Sequence, residues 1–167
     1  MRPKMLLAVD GSELSNKAVE HVGNVVCQCK DFEITLLHVV DIPPSLREHE
    51  GSIDPDRERM IEKELADRRD EWLEERCNEL EKTIFQPARQ VLKNKGVTKD
   101  TASIHTKVAA DVHSDVAFAI INEAKQGDYG ILVIGRRGKS TLKEFLMGAV
   151  VHKVMHQQKN CAVWVVE

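Results

Sequence analysis

Apolar residues follow two rhythms along this chain. Lys4-Met5-Leu6-Leu7-Ala8-Val9 is an almost unbroken apolar run, the pattern of a strand covered on both faces. It stops at Asp10-Gly11-Ser12, a turn signal that also caps a following helix. Leu14, Ala18, His21 with Val22, and Val25 with Val26 then recur at helical spacing. A second apolar run, Ile34 to Val40, ends at Asp41-Ile42-Pro43-Pro44. Strand, helix, strand is a βαβ unit, whose crossover is nearly always right-handed. Further on, Ala102 to Val108 alternates as a third strand, and Val112 to Gln126 predicts a helix with Val116, Ala117, Ile120, Ile121 and Ala124 on one face. Tyr129 to Ile134 predicts a fourth strand, Ser140 to His156 a helix interrupted by Gly148, and Cys161 to Val166 a last strand. This alternation predicts one open α/β domain over residues 1–167, a parallel sheet with helices on both faces.

One segment is longer than a sheet-covering helix needs to be. Between Arg47 and Lys82 there are 14 acidic and 8 basic residues, yet Ile61, Leu65, Trp72, Leu80 and Ile84 keep helical time. The pattern predicts one long helix from Leu46 to about Lys95, broken near Pro87, where a missing N–H and a ring clash interrupt the ladder. The surplus lies around residues 46–70. A solvated surface helix, a lid over a site and an arm docking on a second subunit all fit its charge.

Composition narrows the function classes. A chain of 167 residues, 42% hydrophobic and 31% charged, is a soluble globular domain, large enough to bury roughly 70% of its unfolded surface. Its net charge of −3 argues against a nucleic-acid binder, which would carry a basic surplus. Aromatics at 4% leave too few rings for base-stacking platforms. No stretch approaches the ~20 apolar residues of a membrane span. The apolar run near Met1 is too short for a signal peptide, so the expected location is the cytoplasm. Cys27, Cys29, Cys77 and Cys161 are expected as reduced thiols there. The C-x-C pair lacks the second ligand pair a metal site needs.

In such sheets a ligand sits beyond the carboxyl ends of the strands, where strand order reverses. Two loops suit that position: Asp10-Gly11-Ser12, and the glycine-rich segment after the fourth strand. Gly135, Gly138 and Gly148 are spaced G-x2-G-x9-G. Glycines there let the backbone approach a ligand closely, and a helix starting near Gly148 would aim its N–H groups at phosphate. Arg136, Arg137 and Lys139 add three positive charges. An ordinary strand-to-helix turn with solvated charges is the alternative. Gly138-Lys139-Ser140 is not a P-loop, because Val133 stands where that motif needs glycine. Nor is there a dinucleotide fingerprint, since Gly11 is alone after the first strand. Asp10 suits either a turn or helix cap or a ligand contact.

Val9-Asp10-Gly11-Ser12-Glu13, Leu36-Leu37-His38-Val39 and Gly135-Arg136-Arg137-Gly138 with Gly148 together resemble the universal stress protein family, and the similarity runs over nearly the whole chain, with only about residues 42–70 reading as a helical insertion. The resemblance implies a five-stranded parallel sheet of order 3-2-1-4-5, Rossmann-like and of the adenine nucleotide alpha hydrolase type. It also implies a homodimer, often paired through the last strand, and an adenine nucleotide (ATP, ADP or AMP), with or without magnesium. Carried over by residue, Asp10 holds the ribose, Ala8 and Val9 lie beside the adenine, and Val39 meets its edge through the backbone. Gly135 and Gly138 cradle phosphate, and Gly148 with the amide of Ala149 closes the site. Ile134, Arg137, Lys139 and Val150 complete the implied set.

One departure bears on affinity. The family motif ends in Ser or Thr after the last glycine, whereas this chain has Ala149, and Val151 likewise has no hydroxyl. A lost hydroxyl bond to a charged phosphate costs about 1.5–3 kcal/mol, about 10- to 150-fold in affinity. Three functions follow as expectations: a nucleotide-binding stress or signalling switch, a nucleotide-free interaction module of the same fold, and, least favoured, a slow ATP-hydrolysing enzyme. No catalytic base or nucleophile is evident, so a non-enzyme is expected. His152 and His156, at i and i+4 without a third ligand, read as surface or subunit-facing residues. His38 and His105 read as packed or hydrogen-bonded within their strands. The signalling partner is not encoded in any motif.

Overall fold

The structure is a computed structural model that describes residues 2–47, 54–111, 115–138 and 148–167. Five parallel strands, β1 (Lys4–Ala8), β2 (Phe32–Asp41), β3 (Ala102–Asp111), β4 (Ile131–Gly135) and β5 (Ala162–Val166), form one sheet. The order is β3-β2-β1-β4-β5, the one the family resemblance implies. Strand order reverses at β1, which pairs with β2 on one side and β4 on the other.

Alternation along the central strands divides the core into two layers. Met5 and Leu7 face one side with Val19, Val22, Ile34, Leu36, Phe85 and Leu92. Leu6 faces the other with Leu37, Ile120, Ala124, Leu132 and Val154. Successive side chains on a strand point to opposite faces, so an unbroken apolar run is what a sheet covered on both sides requires. Each fully buried Leu or Ile contributes about 1.5–3 kcal/mol.

Helix α1 (Glu13–Val26) begins at Ser12, whose hydroxyl accepts the Ser15 N–H at 3.2 Å. Helices α4 (Val116–Gln126) and α5 (Ala149–Gln157) cover the opposite face. The periodicity started α4 at Val112, but residues 112–114 lie outside the described residues, and Asp115 caps the helix by accepting from the Phe118 N–H at 3.1 Å. The helix expected from Ser140 is described only from Ala149 onward. The fourth strand begins two residues later than its apolar run. Asp128 has φ +53°, and Tyr129 is buried in the core instead of extending the ladder.

The charged segment differs from its expected form at both ends. A single 3₁₀ turn spans Pro44–Leu46, and α2 (Pro55–Leu80) starts after Asp54. At Pro87 the chain does not break. A π-helical turn over Glu81–Phe85 leads directly into α3 (Gln86–Asn94). The Gln86 N–H reaches back to the Glu81 carbonyl. This wider turn admits the proline ring near the start of α3, where an α-helical ladder would clash with it. Of the residues in α2 only Leu80 is buried; Trp72 and Leu73 pack at the core margin, and the turns before them are largely exposed. Arg69 Nε donates to the Leu46 carbonyl at 3.0 Å, so the chain leaves the body at Leu46 and returns beside it.

Candidate functional site

Beyond the carboxyl ends of β1, β2 and β4 lies a cavity of about 280 Å³, near the lower end of the ~300–1,000 Å³ usual for small-molecule sites. Its floor is Ala8, Leu37, Val39 and Ile134, its roof Val116 and Ile120 of α4 with Val150 and Val151 of α5. Those apolar walls suit a flat ring. Its polar side chains are Asp10, Ser15, His38 and Arg137, with Gly138 beside Asp10 and Gly148 beside Arg137.

Asp10 performs the turn role and lines the cavity as well. Its Oδ1 accepts the Ser12 N–H at 2.9 Å, while its own N–H donates to Ser15 Oγ at 3.1 Å. Gly11, at φ +74°, supplies the left-handed residue that lets the chain reverse into α1. Around Asp10 the glycines are selected by close packing. A Cβ at Gly138 would stand 2.6 Å from Asp10 Oδ2. One at Gly135 would stand 2.8 Å from the Leu14 carbonyl group, so Gly135 brings β4 against the start of α1. That contact with the chain's own backbone accounts for Gly135, for which the spacing alone suggested approach to a ligand.

Gly148 closes the other side. Its N–H donates to the Arg136 carbonyl at 3.1 Å, and its carbonyl accepts from His152 N–H at 2.9 Å. It precedes α5 without any side-chain cap. The amides of Ala149, Val150 and Val151 therefore form the first turn, where a helix has no internal acceptors, and the helix dipole favours an anion there. The cations of the loop diverge. Arg137 lines the cavity, whereas Arg136 is ion-paired with Glu167 at the far end of β5 and is not among the lining residues. Lys139 lies outside the described residues.

Roof and rim are tied together by charge. Asp115, at the start of α4, pairs with Lys153 of α5, and that contact, with the Phe118 N–H, holds its carboxyl below the ordinary 3.8.

The structure thus brings Ala8, Val9, Asp10, Val39, Ile134, Gly135, Arg137, Gly138, Gly148, Ala149 and Val150 to one cavity. The sequence reading did not assign Ser15, Leu37, Val116 or Ile120 to a site; Val116 and Ile120 were legible only as one face of a helix. His38 is hydrogen-bonded, as its place in the strand suggested, with Nδ1 2.6 Å from the Val9 carbonyl; that it also lines the cavity was not read from the sequence. His105 is exposed on β3, not packed. The rings of His152 and His156 lie with centroids 4.4 Å apart and planes inclined by 53°. Cys27 follows directly on α1, and all four cysteines are free.

A second cavity, about 430 Å³, opens on the other face of β2 between His38, Asp41 and the α2 residues Trp72, Glu75, Arg76 and Glu79. His38 and Val39 separate the two. No residue of α2 lines the first cavity, so the described part of the arm does not cover it. No helix among the described residues is long and apolar enough to cross a membrane.

Comparison with known proteins agrees with this architecture. A universal stress protein YxiE from Bacillus subtilis is 28% identical over 170 residues, spanning 98% of this chain and 97% of its own. Among solved structures, the universal stress protein UspA from Lactobacillus plantarum superposes with a TM-score of 0.65 at 18% identity, covering 100% of this chain and 99% of that one. A universal stress protein in complex with cAMP gives a TM-score of 0.59 at 16% identity, over 99% and 97% of the two chains. The sequence profile of the universal stress protein family matches residues 1–167 in full, and the chain belongs to that family.

Proposed function

We propose that this protein binds an adenine nucleotide in the cavity at the ends of β1, β2 and β4 and serves as a nucleotide-responsive signalling component of a stress response. The observation that carries the reading is the mixed lining of the cavity. Apolar walls from Ala8, Val39, Ile134 and Ile120 share it with Asp10, Arg137 and the uncapped first turn of α5. An aromatic base, a diol and an anionic tail are the three parts of a nucleotide, and each finds a matching group there. The carboxylate of Asp10 accepts from ribose hydroxyls, Val39 offers its backbone to the base, and the amides after Gly148 receive phosphate. That a protein of the same fold is seen with cAMP supports an adenine ligand. The reading includes a homodimer through β5, whose outer edge pairs with no strand among the described residues.

Ala149 and Val151 favour a second reading, an interaction module whose site has lost its grip on nucleotide. The same reasoning weakens hold on terminal phosphates more than on the nucleoside, so AMP and cAMP are favoured over ATP in the first reading. Calorimetric titration with AMP, ADP, ATP and cAMP, with and without magnesium, separates the two. So does mass spectrometry of small molecules released from freshly purified protein. Saturable binding of at least one adenine nucleotide is expected; its absence from all of them would leave the interaction module. A turnover assay with ATP, controlled by Asp10→Ala, checks the expectation that the protein is not an enzyme. A switch also requires two conformations of different affinity, which light scattering with and without ligand would register as a change of assembly or shape.

A further inference from the structure

The ladder between β1 and β2 stops one rung early. The odd-numbered residues of β2 point their amide and carbonyl groups at β1: Glu33 N–H donates to the Pro3 carbonyl at 3.0 Å, and the Leu37 carbonyl accepts from Val9 N–H at 2.8 Å. In a regular parallel ladder the next bond would run from Val39 N–H to the Val9 carbonyl. That rung is missing; the register ends at Ala8 opposite Leu37. The Val9 carbonyl is taken instead by the imidazole of His38, with Nδ1 at 2.6 Å. Because a carbonyl only accepts, Nδ1 carries the proton in this contact.

We infer that His38 is a positioning residue for base recognition: by holding the Val9 carbonyl it keeps Val39 N–H out of the sheet and turned toward the cavity. This rests on the nucleotide reading above. The consequence is chemical. A peptide presenting N–H and C=O side by side matches the ring acceptor N1 and the exocyclic amino donor of adenine. Hypoxanthine reverses both, with N1–H and a carbonyl. Without His38, the Val9 carbonyl is left without its side-chain donor beside Val39 N–H, and the simplest repair is to close the rung. The reader is then consumed by the sheet. Leu37 and Val39 side chains would still enclose a ring, so what His38 contributes is selectivity between bases more than apolar affinity.

The test uses the full chain and two substitutions. His38→Leu removes the donor at similar bulk; His38→Asn keeps an N–H near the position of Nδ1. Amide exchange followed by NMR without ligand is read first, with Val39 N–H expected to exchange at least about tenfold faster than Leu37 N–H in the wild type and in His38→Asn, and to become protected in His38→Leu. Binding of AMP and IMP is read second. The wild-type preference for AMP is expected to fall by about tenfold in His38→Leu, the worth of one hydrogen bond near 1.4 kcal/mol, and to stay within about threefold in His38→Asn. If His38→Leu fails to fold, wild-type exchange and the His38→Asn ratio decide. A Val39 amide as protected as Leu37 in the wild type overturns the assignment, as does an AMP-to-IMP ratio that ignores His38→Leu. A wild-type protein that binds neither nucleotide removes the nucleotide reading and this role with it, whereas a selective wild type with an equally selective His38→Leu removes this role alone.

Discussion

Asp10 and Gly138 show how one contact joins packing to a site. The carboxylate holds the turn into α1 through the Ser12 N–H and presses against the glycine. A valine at 138 would drive a β-carbon to 2.6 Å from Oδ2, a distance real side chains do not tolerate. The loop is at the rim, so the carboxylate or the loop shifts while the core stays intact. Gly138→Val is expected to abolish measurable AMP binding by calorimetry and to leave the far-UV circular dichroism and the melting midpoint nearly unchanged. Unaltered binding would place the ligand elsewhere. The carboxylate and this glycine were both legible in the chain as motif residues. Their mutual contact was not, because it joins positions 10 and 138 through folding alone.

At the scale of elements, the roof of the cavity depends on how α4 and α5 meet. Asp115 caps α4 and pairs with Lys153 of α5, and its carboxyl is held below the ordinary 3.8 by that contact. A carboxyl depressed in the folded state stabilises it fully above the unfolded value and loses that contribution as pH falls through the lower folded value. Acid unfolding is therefore expected to include a component below pH 3.8 that Asp115→Asn removes, since asparagine still caps but carries no charge. Superimposable acid limbs in the two proteins would contradict this. The π turn at Glu81–Phe85 belongs to the same scale. Pro87 announced an interruption, but only the packing of Phe85, Ala88 and Leu92 into the core decided that the helix should widen and continue.

For the whole molecule, the question is what the acidic arm does. It departs at Leu46 and returns at Arg69 within hydrogen-bonding distance of its departure, and its described part lines none of the first cavity. Closing so short a gap costs little chain entropy. Replacing residues 48–66 by a short Gly-Ser bridge is expected to shift the melting midpoint by only a few degrees and leave AMP affinity within about twofold. A tenfold loss of affinity would make the arm a lid in solution; dissociation of a dimer without loss of affinity would make it a subunit contact.

The order of strands and helices, the two-sided burial of the sheet and the family were settled by the chain's own pattern, because burial on both faces demands unbroken apolar runs and tight turns demand particular residues at particular places. Local chemistry of this kind is written in consecutive residues. The missing rung at Val39, the partition of two neighbouring arginines and the apolar roof from α4 were decided only in three dimensions. Arg136 and Arg137 are adjacent and chemically alike, yet one is drawn to Glu167 and the other to the cavity. A strand's direction and the position of a distant carboxylate choose between them, and neither is encoded at the residue itself.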